Sequence, residues 1–443
     1  MFVDSATLQD LEVVPARAGR GASLWALIDR TRTRAGSQAL RARLVNPPHT
    51  ADEITALQRA HQALAAKAVS YRHALDRAVL DDVDRYLDSK WQLPRHMPRI
   101  VRFRGWYRAY REDAERGRAA VASMLAAAAG LHQDLGRTDA ALLQELAAEI
   151  RSLMEEPDTQ ELWRLSSPAT PLFDFDQRAR ELVRPSLTRL LDCLGRVEAL
   201  WSVGVATAEH GWTYPQFSSR LRVSGLFHPF LGRDSVANDI ALDRQVRVCF
   251  VTGPNMAGKS TFLKAIAIAT LLAHAGSGVP ATAMEFAPVG TVFSSVQIAD
   301  DLAGGESFYL SEVRRIGALA AALADHGSAV AVLDEPFRGT NVQDAAEATL
   351  AVIQRLAAHP AALVLVASHL ADVVPAIRDD PRIAFLCFGA DLSGDQPRFD
   401  YRLHAGVSAQ RLGMTLLRQE GVLERLERLA SGTVSVAASE YRP

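Results

Sequence analysis

The chain has 443 residues, 48% of them hydrophobic and 23% charged, with a formal net charge of −2. That length allows about two or three domains with full cores, and the near-neutral balance excludes a global positive field for drawing in nucleic acid. Cys193, Cys249 and Cys387 lie far apart, so they make neither a disulfide framework nor a zinc cluster, and they fit a reducing compartment. The opening Met1-Phe2-Val3-Asp4-Ser5 lacks the basic-then-apolar pattern of a signal peptide, and no apolar run is long enough to span a bilayer. A cytoplasmic protein without membrane contact is expected.

Residues 1–210 read as helical. Leu24, Leu27, Ile28, Leu40 and Leu44 recur at helical spacing until Asn46-Pro47-Pro48 stops the run. A second helix is expected from Ala51 to about Ala78, with Ile54, Leu57, His61 and Leu64 on one face. The stretch from Ala119 to Met154, rich in alanine and leucine, predicts long helices. Pro157 and the run Ser166 to Pro171 interrupt the pattern, and a further helix follows over about Asp176 to Ala208. Between the second helix and the alanine-rich stretch, Arg95 to Arg111 is basic and interleaved with aromatics. Arg104, Arg108 and Arg111 would share a helical face and could form a phosphate-contacting stripe. The commoner outcome is a helix with aromatics packed inward and arginines in water.

From Val246 onward short apolar runs alternate with helical segments. Val246–Val251, Ala329–Leu333, Ala362–Ala367 and Ile383–Phe388 have the length of buried strands, which predicts an α/β layer fold. The first run ends in Gly253-Pro254-Asn255-Met256-Ala257-Gly258-Lys259-Ser260-Thr261, and an apolar-periodic helix follows. Strand, Gly-x-x-x-x-Gly-Lys-Ser and helix in that order make a phosphate loop. Its glycines let backbone N–H groups turn toward a triphosphate; Lys259 would reach the β- and γ-phosphates and the Ser260 hydroxyl would ligate Mg²⁺. The second run ends in Asp334-Glu335, placed so that Asp334 holds Mg²⁺ and Glu335 polarises the attacking water. The third ends in Ser368-His369, with His369 suited to the γ-phosphate. Asp300 to Ser307 puts a serine after Gly304-Gly305 at a helix start, where anions can bind.

Together these motifs resemble the MutS family of DNA mismatch-repair ATPases, in the ABC class of P-loop enzymes. Thr252–Thr261 matches the family's Thr-Gly-Pro-Asn-Met-Gly-Gly-Lys-Ser-Thr except at Ala257. Asp300 to Glu312 resembles the signature segment, and Asp334-Glu335 with Arg338-Gly339-Thr340 resembles the acidic strand and its loop. Asp4 to Glu12 and Leu27 to Gly36 resemble the start of the lever domain, and His404 to Gly413 the entry to the dimerisation segment.

The resemblance implies an all-α lever domain (1–210), an ABC-class α/β P-loop ATPase domain (211–403) and a C-terminal helical dimerisation segment (404–443). It implies ATP held by Gly253–Thr261, and Mg²⁺ held by Ser260 and Asp334. Lys259, Glu335 and His369 would carry out hydrolysis. Ser307 would reach the γ-phosphate of the opposite subunit of a homodimer. Branched or distorted DNA would lie between the levers, while the mismatch-reading and connector domains would be absent, because the sequence opens where the lever domain begins. Departures from the family pattern are Ser235-Val236 where an aromatic stacks on adenine, making Val236 the base contact, Phe308-Tyr309 after the signature serine, and Pro336-Phe337 after the acids. The near-neutral charge keeps a second reading open, an ATP-switched scaffold that holds a protein and no DNA.

Overall fold

The computed structural model describes residues 1–15, 23–66, 76–89, 105–232, 235–296, 308–391, 397–408, 417–418 and 421–430. They group into two units, Met1–Ser218 with Ile268–Val292, and Ser219–Ala267 with Phe293–Pro443.

The first unit is built on α1 (Ser5–Asp10), α2 (Leu24–Ile28), α3 (Arg34–Val45), α4 (Ala51–Ala66), α5 (Arg77–Asp88), α6 (Gly105–Gly136), α7 (Ala141–Glu155), α8 (Pro157–Leu165), α9 (Leu172–Glu181) and α10 (Arg184–His210). Side chains of Asp4, Ser23 and Thr33 accept from backbone N–H groups in the first turns of α1, α2 and α3, satisfying donors a helix start leaves free. The expected apolar face of α4 is present, with Ile54, Leu57, His61 and Leu64 all buried. That helix ends at Ala66, short of the expected Ala78; residues 67–75 lie outside the described set, and α5 starts from its own cap, Asp76.

The single helix expected over Asp176–Ala208 is instead two, α9 and α10, parted at Leu182-Val183. The physical reason is Pro185. It has no N–H to continue α9 and fits the first turn of a new helix. Between Leu187 and Thr207 most of α10 is buried, because α3, α4 and α7 pack around it. Two glycines permit that crowding: a Cβ at Gly195 would lie 2.7 Å from the Ala35 carbonyl carbon, and one at Gly204 would lie 2.3 Å from the His61 oxygen. Glu198 of the same helix accepts from the backbone N–H of Arg32 (2.7 Å) and Thr33 (3.3 Å), fixing the start of α3.

Of the basic run, residues 95–104 lie outside the described set. On α6, Tyr110 is buried while Arg108 and Arg111 are exposed, and Arg111 pairs with Glu115 at 2.8 Å.

A buried polar knot joins α5, α6 and α9. Asp176 accepts from Tyr86 Oη (2.7 Å), Tyr110 Oη (3.2 Å) and Arg180 Nε (2.8 Å). Arg180 also donates to the carbonyls of Tyr86 (3.0 Å) and Ser89 (2.9 Å), reaches Asp113 (3.2 Å), and stacks over the Tyr86 ring at 4.2 Å. Burial, then the neighbouring Asp176, pushes both tyrosine hydroxyls well above their ordinary pKa, so they remain donors.

The second unit carries a sheet. In chain order the remaining elements are β1 (Gln216–Phe217), β2 (Leu221–Leu226), β3 (Asn238–Leu242), β4 (Val248–Thr252), α11 (Lys259–His274), β5 (Ala283–Phe286), β6 (Thr291–Ser295), α12 (Phe308–His326), β7 (Ala329–Asp334), α13 (Val342–Ala358), β8 (Ala362–Ala367), α14 (Val374–Ile377), β9 (Ile383–Asp391), β10 (Arg398–Ala405) and α15 (Val422–Ala430). β1 and β5 pair in parallel in the first unit. The six-stranded sheet runs β10-β9-β4-β8-β7-β6, with β9, β4, β8 and β7 parallel and β10 antiparallel at the edge. All five residues of β4 are buried, as a strand covered on both faces requires. The core around it includes Val248, Phe250, Leu333, Ile353, Val364 and Val366. The four strands expected from the sequence are all present, and the chain is mixed α/β. Among the described residues no helix is long and apolar enough to cross a membrane.

The knot at Asp176 gives a stability prediction. Asp176→Ala leaves Arg180 and two tyrosine hydroxyls short of their acceptor and is expected to cost about 3 kcal/mol, read by urea unfolding. Asp176→Asn, which keeps an acceptor oxygen for the tyrosine hydroxyls, should cost less than Asp176→Ala.

Candidate active site

Parallel pairing puts the C-terminal ends of β4, β7 and β8 at one edge of the sheet, where open α/β sheets bind ligands. Each of these strands ends in one of the sequence motifs. The register is held by the backbone: Ser368 N–H donates to Val251 O (3.0 Å) and Glu335 N–H to Ala367 O (2.8 Å).

The loop after β4 leaves the strand at Gly253, whose φ is +139° and whose added Cβ would sit 2.6 Å from the Phe388 carbonyl oxygen of β9. A side chain there would displace the loop or the neighbouring strand. Met256 (φ +69°) and Gly258 (φ +104°) complete the turn, and α11 begins at Lys259 with its N–H groups facing the loop. Lys259 Nζ donates to Gly253 O (2.9 Å) and Pro254 O (3.1 Å). Burial lowers its pKa, against the pull of Glu335 and Asp334.

Ser260 Oγ donates to Asp334 Oδ2. The other carboxylate oxygen, Oδ1, is buried and has no hydrogen-bond partner among the described residues. Burial raises the Asp334 pKa, the Ser260 hydrogen bond opposes that, and Glu335 adds to it. Glu335 itself adopts φ +47°, and Phe337 adopts φ +66° with its ring buried 6.1 Å from that of Tyr309. Non-glycine residues in this left-handed region carry strain, which turns the chain sharply after β7. Helix α12 braces the turn: Glu312 accepts from Gly339 N–H at 3.1 Å. His369 Nδ1 lies 3.4 Å from Glu335 Oε1.

Lys259, Ser260, Asp334 and Glu335 line one cavity of about 900 Å³, within the range of small-ligand sites, while His369 meets Glu335 without lining it. Asn255, Met256, Gly258, Lys259, Ser260 and Thr261 form one side; Asp334, Glu335 and Arg338 form another. Gly253, Pro254 and Ala257 shape the loop from buried positions. Val236 lines the cavity with Ser235, His228 and Leu231. Burial, then Lys264, lowers the His228 pKa to about 4, so its ring is neutral near pH 7. Ser307 and the rest of the signature segment through Asp300 lie outside the described residues.

Sequence reasoning missed Tyr401. It lies on β10 with φ +54° and 47% of its surface exposed, and it lines the same cavity. Asn238 holds it there through two hydrogen bonds, Nδ2 to Tyr401 O (3.0 Å) and Oδ1 from Leu403 N–H (2.7 Å). No periodicity or spacing marks this residue, because its role depends on an antiparallel strand folding back beside β9.

A family model described as MutS domain V matches residues 249–435, from β4 through α15. That stretch is similar to MutS domain V, and its relatives carry MutS names as well. It is 33% identical over 235 residues to a DNA mismatch repair protein MutS 2 of Halobacterium salinarum, covering 52% of this chain and 27% of that one. It is 29% identical over 282 residues to a DNA mismatch repair protein MutS of Chloroflexus aurantiacus, covering 61% and 29%. A MutS of Thermotoga maritima is 29% identical over 244 residues, covering 54% and 30%. The matched region thus takes in less than a third of the length of these MutS relatives.

The unpartnered Asp334 oxygen gives a signed prediction. A carboxyl whose folded pKa is raised penalises the fold as pH climbs through its titration, and the penalty is gone once pH falls below the unfolded value. Asp334→Asn without nucleotide should therefore melt higher than the parent at about pH 8, the gap closing toward about pH 4. The same variant should lose Mg²⁺-dependent nucleotide binding in a calorimetric titration.

Proposed function

We propose that this cavity binds and hydrolyses ATP with Mg²⁺, as a MutS-type ATPase site. The observation that carries the reading is the convergence of Lys259, Ser260, Asp334 and Glu335 on one cavity, with His369 at hydrogen-bonding approach to Glu335. The donor set suits Mg²⁺: a buried carboxylate oxygen with no protein partner beside a serine hydroxyl offers hard oxygen ligands. When bound there, Mg²⁺ would neutralise charge on the β- and γ-phosphates.

Lys259 would exchange the carbonyls of Gly253 and Pro254 for phosphate oxygens, and the N–H groups from Met256 to Ser260 would face the same oxygens. The Glu335 carboxylate would take a proton from the attacking water. The water oxygen then bonds to the γ-phosphorus as the bond to the bridging oxygen breaks, and that oxygen leaves on ADP. His369 would orient Glu335 and the γ-phosphate. The base would lie between Met256 and Tyr401 near Val236, so that Tyr401 supplies the aromatic face missing at Ser235-Val236.

In this reading residues 1–210 act as an all-α lever domain, 211–403 as the ABC-class ATPase domain and 404–443 as a dimerisation segment. Ser307 would contact the γ-phosphate held by a second copy, so ATP favours the closed homodimer to the extent that it binds that state better than the open one. The levers would hold DNA, branched or distorted, in cytoplasmic DNA repair or recombination; the relatives' names, DNA mismatch repair proteins, support a role in DNA repair. The net charge of −2 favours a second reading, in which the levers hold a protein.

Lys259→Ala should abolish ATP binding, and unchanged affinity in a titration would unseat the loop assignment. Glu335→Gln should bind ATP and hydrolyse it at least ~100-fold more slowly than the parent, accumulating dimer in sedimentation. Hydrolysis measured with duplex, forked and four-way-junction DNA should rise, and the rise should weaken with salt. Indifference to every DNA form, with a stable protein ligand recovered instead, would favour the scaffold reading.

A further inference from the structure

The strand that carries Tyr401 breaks its pairing there. Phe399 pairs with Ala390 and Leu403 with Phe388, so Asp400, Tyr401 and Arg402 of β10 stand where β9 has only Gly389. A bulge of this kind frees backbone polar groups and re-aims a side chain. Tyr401 takes φ +54°, a left-handed conformation that an aromatic residue keeps only when its surroundings hold it. Its ring leans on the loop after β4, since a Cβ added at Gly258 would sit 3.5 Å from Tyr401 Cδ1, and it lines the cavity together with Met256 and Val236.

Side chains replace the backbone partners that the bulge removes. Arg402 N–H donates to Asp400 Oδ1 at 3.0 Å. Two further groups converge on Asn238, the first residue of β3: Tyr401 O accepts from its Nδ2 at 3.0 Å, and Leu403 N–H donates to its Oδ1 at 2.7 Å. A carbonyl on one side and an N–H on the other call for a donor and an acceptor on one planar group, which an amide supplies and a carboxylate does not. Nδ2 also donates to Val236 O at 3.4 Å. Asn238 lines the cavity too, yet both of its N–H donors are spent on backbone, so what it contributes to a ligand is the placement of Tyr401.

We propose that Asn238 is a positioning residue for the nucleobase: by clamping the bulge at 400–402 it fixes the Tyr401 ring as a stacking face and so sets how much of the nucleotide's affinity comes from its base. This rests on the reading of the cavity as an ATP site. A strained backbone held by surrounding hydrogen bonds is a mark of ligand clamps. A ring already held in place also gives up less freedom when a ligand covers it than a ring on a loose strand would.

The test compares Kd for ATP and for inorganic tripolyphosphate, each with Mg²⁺, by calorimetric titration of the full chain. The ratio of the two separates the base and ribose from the phosphates. The parent should bind ATP about tenfold more tightly or better, the scale of one base–aromatic stack. Tyr401→Leu should bring that ratio toward one. Asn238→Ala should lower it by a similar factor with the tripolyphosphate Kd unchanged, and should lower it no further in the Tyr401→Leu background. Asn238→Asp keeps an acceptor for Leu403 N–H and has no donor for Tyr401 O, so it should lower the ratio as well, on a side chain of the same shape. An asparagine that only stabilises the fold would weaken both ligands in equal proportion, and that unchanged ratio overturns the proposal. A full-sized Asn238→Ala effect in the Tyr401→Leu background, which would mean direct contact with the base, or a parent ratio near one also overturns it. A parent that binds neither ligand removes the ATP reading and this inference together, whereas binding of both with the ratio unmoved in the Asn238 variants removes this inference alone.

Discussion

The cavity at the C-terminal edge of the sheet depends on β4 being paired on both edges. Its backbone bonds to β8 on one side and β9 on the other, in parallel register from Val248 to Val251. That pairing leaves the chain no room at Gly253 except the path of a residue without a side chain, against the Phe388 carbonyl. It also sets the ends of β7 and β8 level with the loop, so that Asp334, Glu335 and His369 arrive together. Local turn chemistry could form the loop alone. Only the sheet puts acids and a histidine beside it.

Several features of the site are costly to the fold. Lys259 is buried with its ammonium on carbonyls of its own loop, Asp334 keeps an oxygen unpaired, and Glu335 and Phe337 hold left-handed backbone. Each makes sense if a ligand completes the arrangement, since groups poised for phosphate and metal cannot also be satisfied by protein. The buried face of α12 offsets part of this by bracing the strained turn through Glu312 and Tyr309. In the first unit the reverse holds at Asp176 and Arg180, where nearly every buried polar atom meets a partner.

The helical unit was legible where periodicity is strong. The α4 face and the alanine-rich helices are written in residue spacing, and a proline at position 185 divides α9 from α10 in a way a simple count of apolar residues overlooks. The polar knot was not legible. Tyr86, Tyr110, Asp176 and Arg180 are far apart in the chain and share no motif, so nothing short of packing brings them together.

The sequence alone determined the phosphate loop, the acidic pair, the histidine and the strand–helix alternation, because each is encoded in a few consecutive residues with strict steric or chemical demands. Tertiary structure alone decided the rest: which edge these motifs share, that Tyr401 faces the cavity where Ser235-Val236 lack an aromatic, and that residues 268–292 group with the helical unit. The physical reason is distance along the chain. A spacing rule sees neighbours in sequence, while burial, pairing and unpaired charge are set by whichever remote segments the core draws into contact.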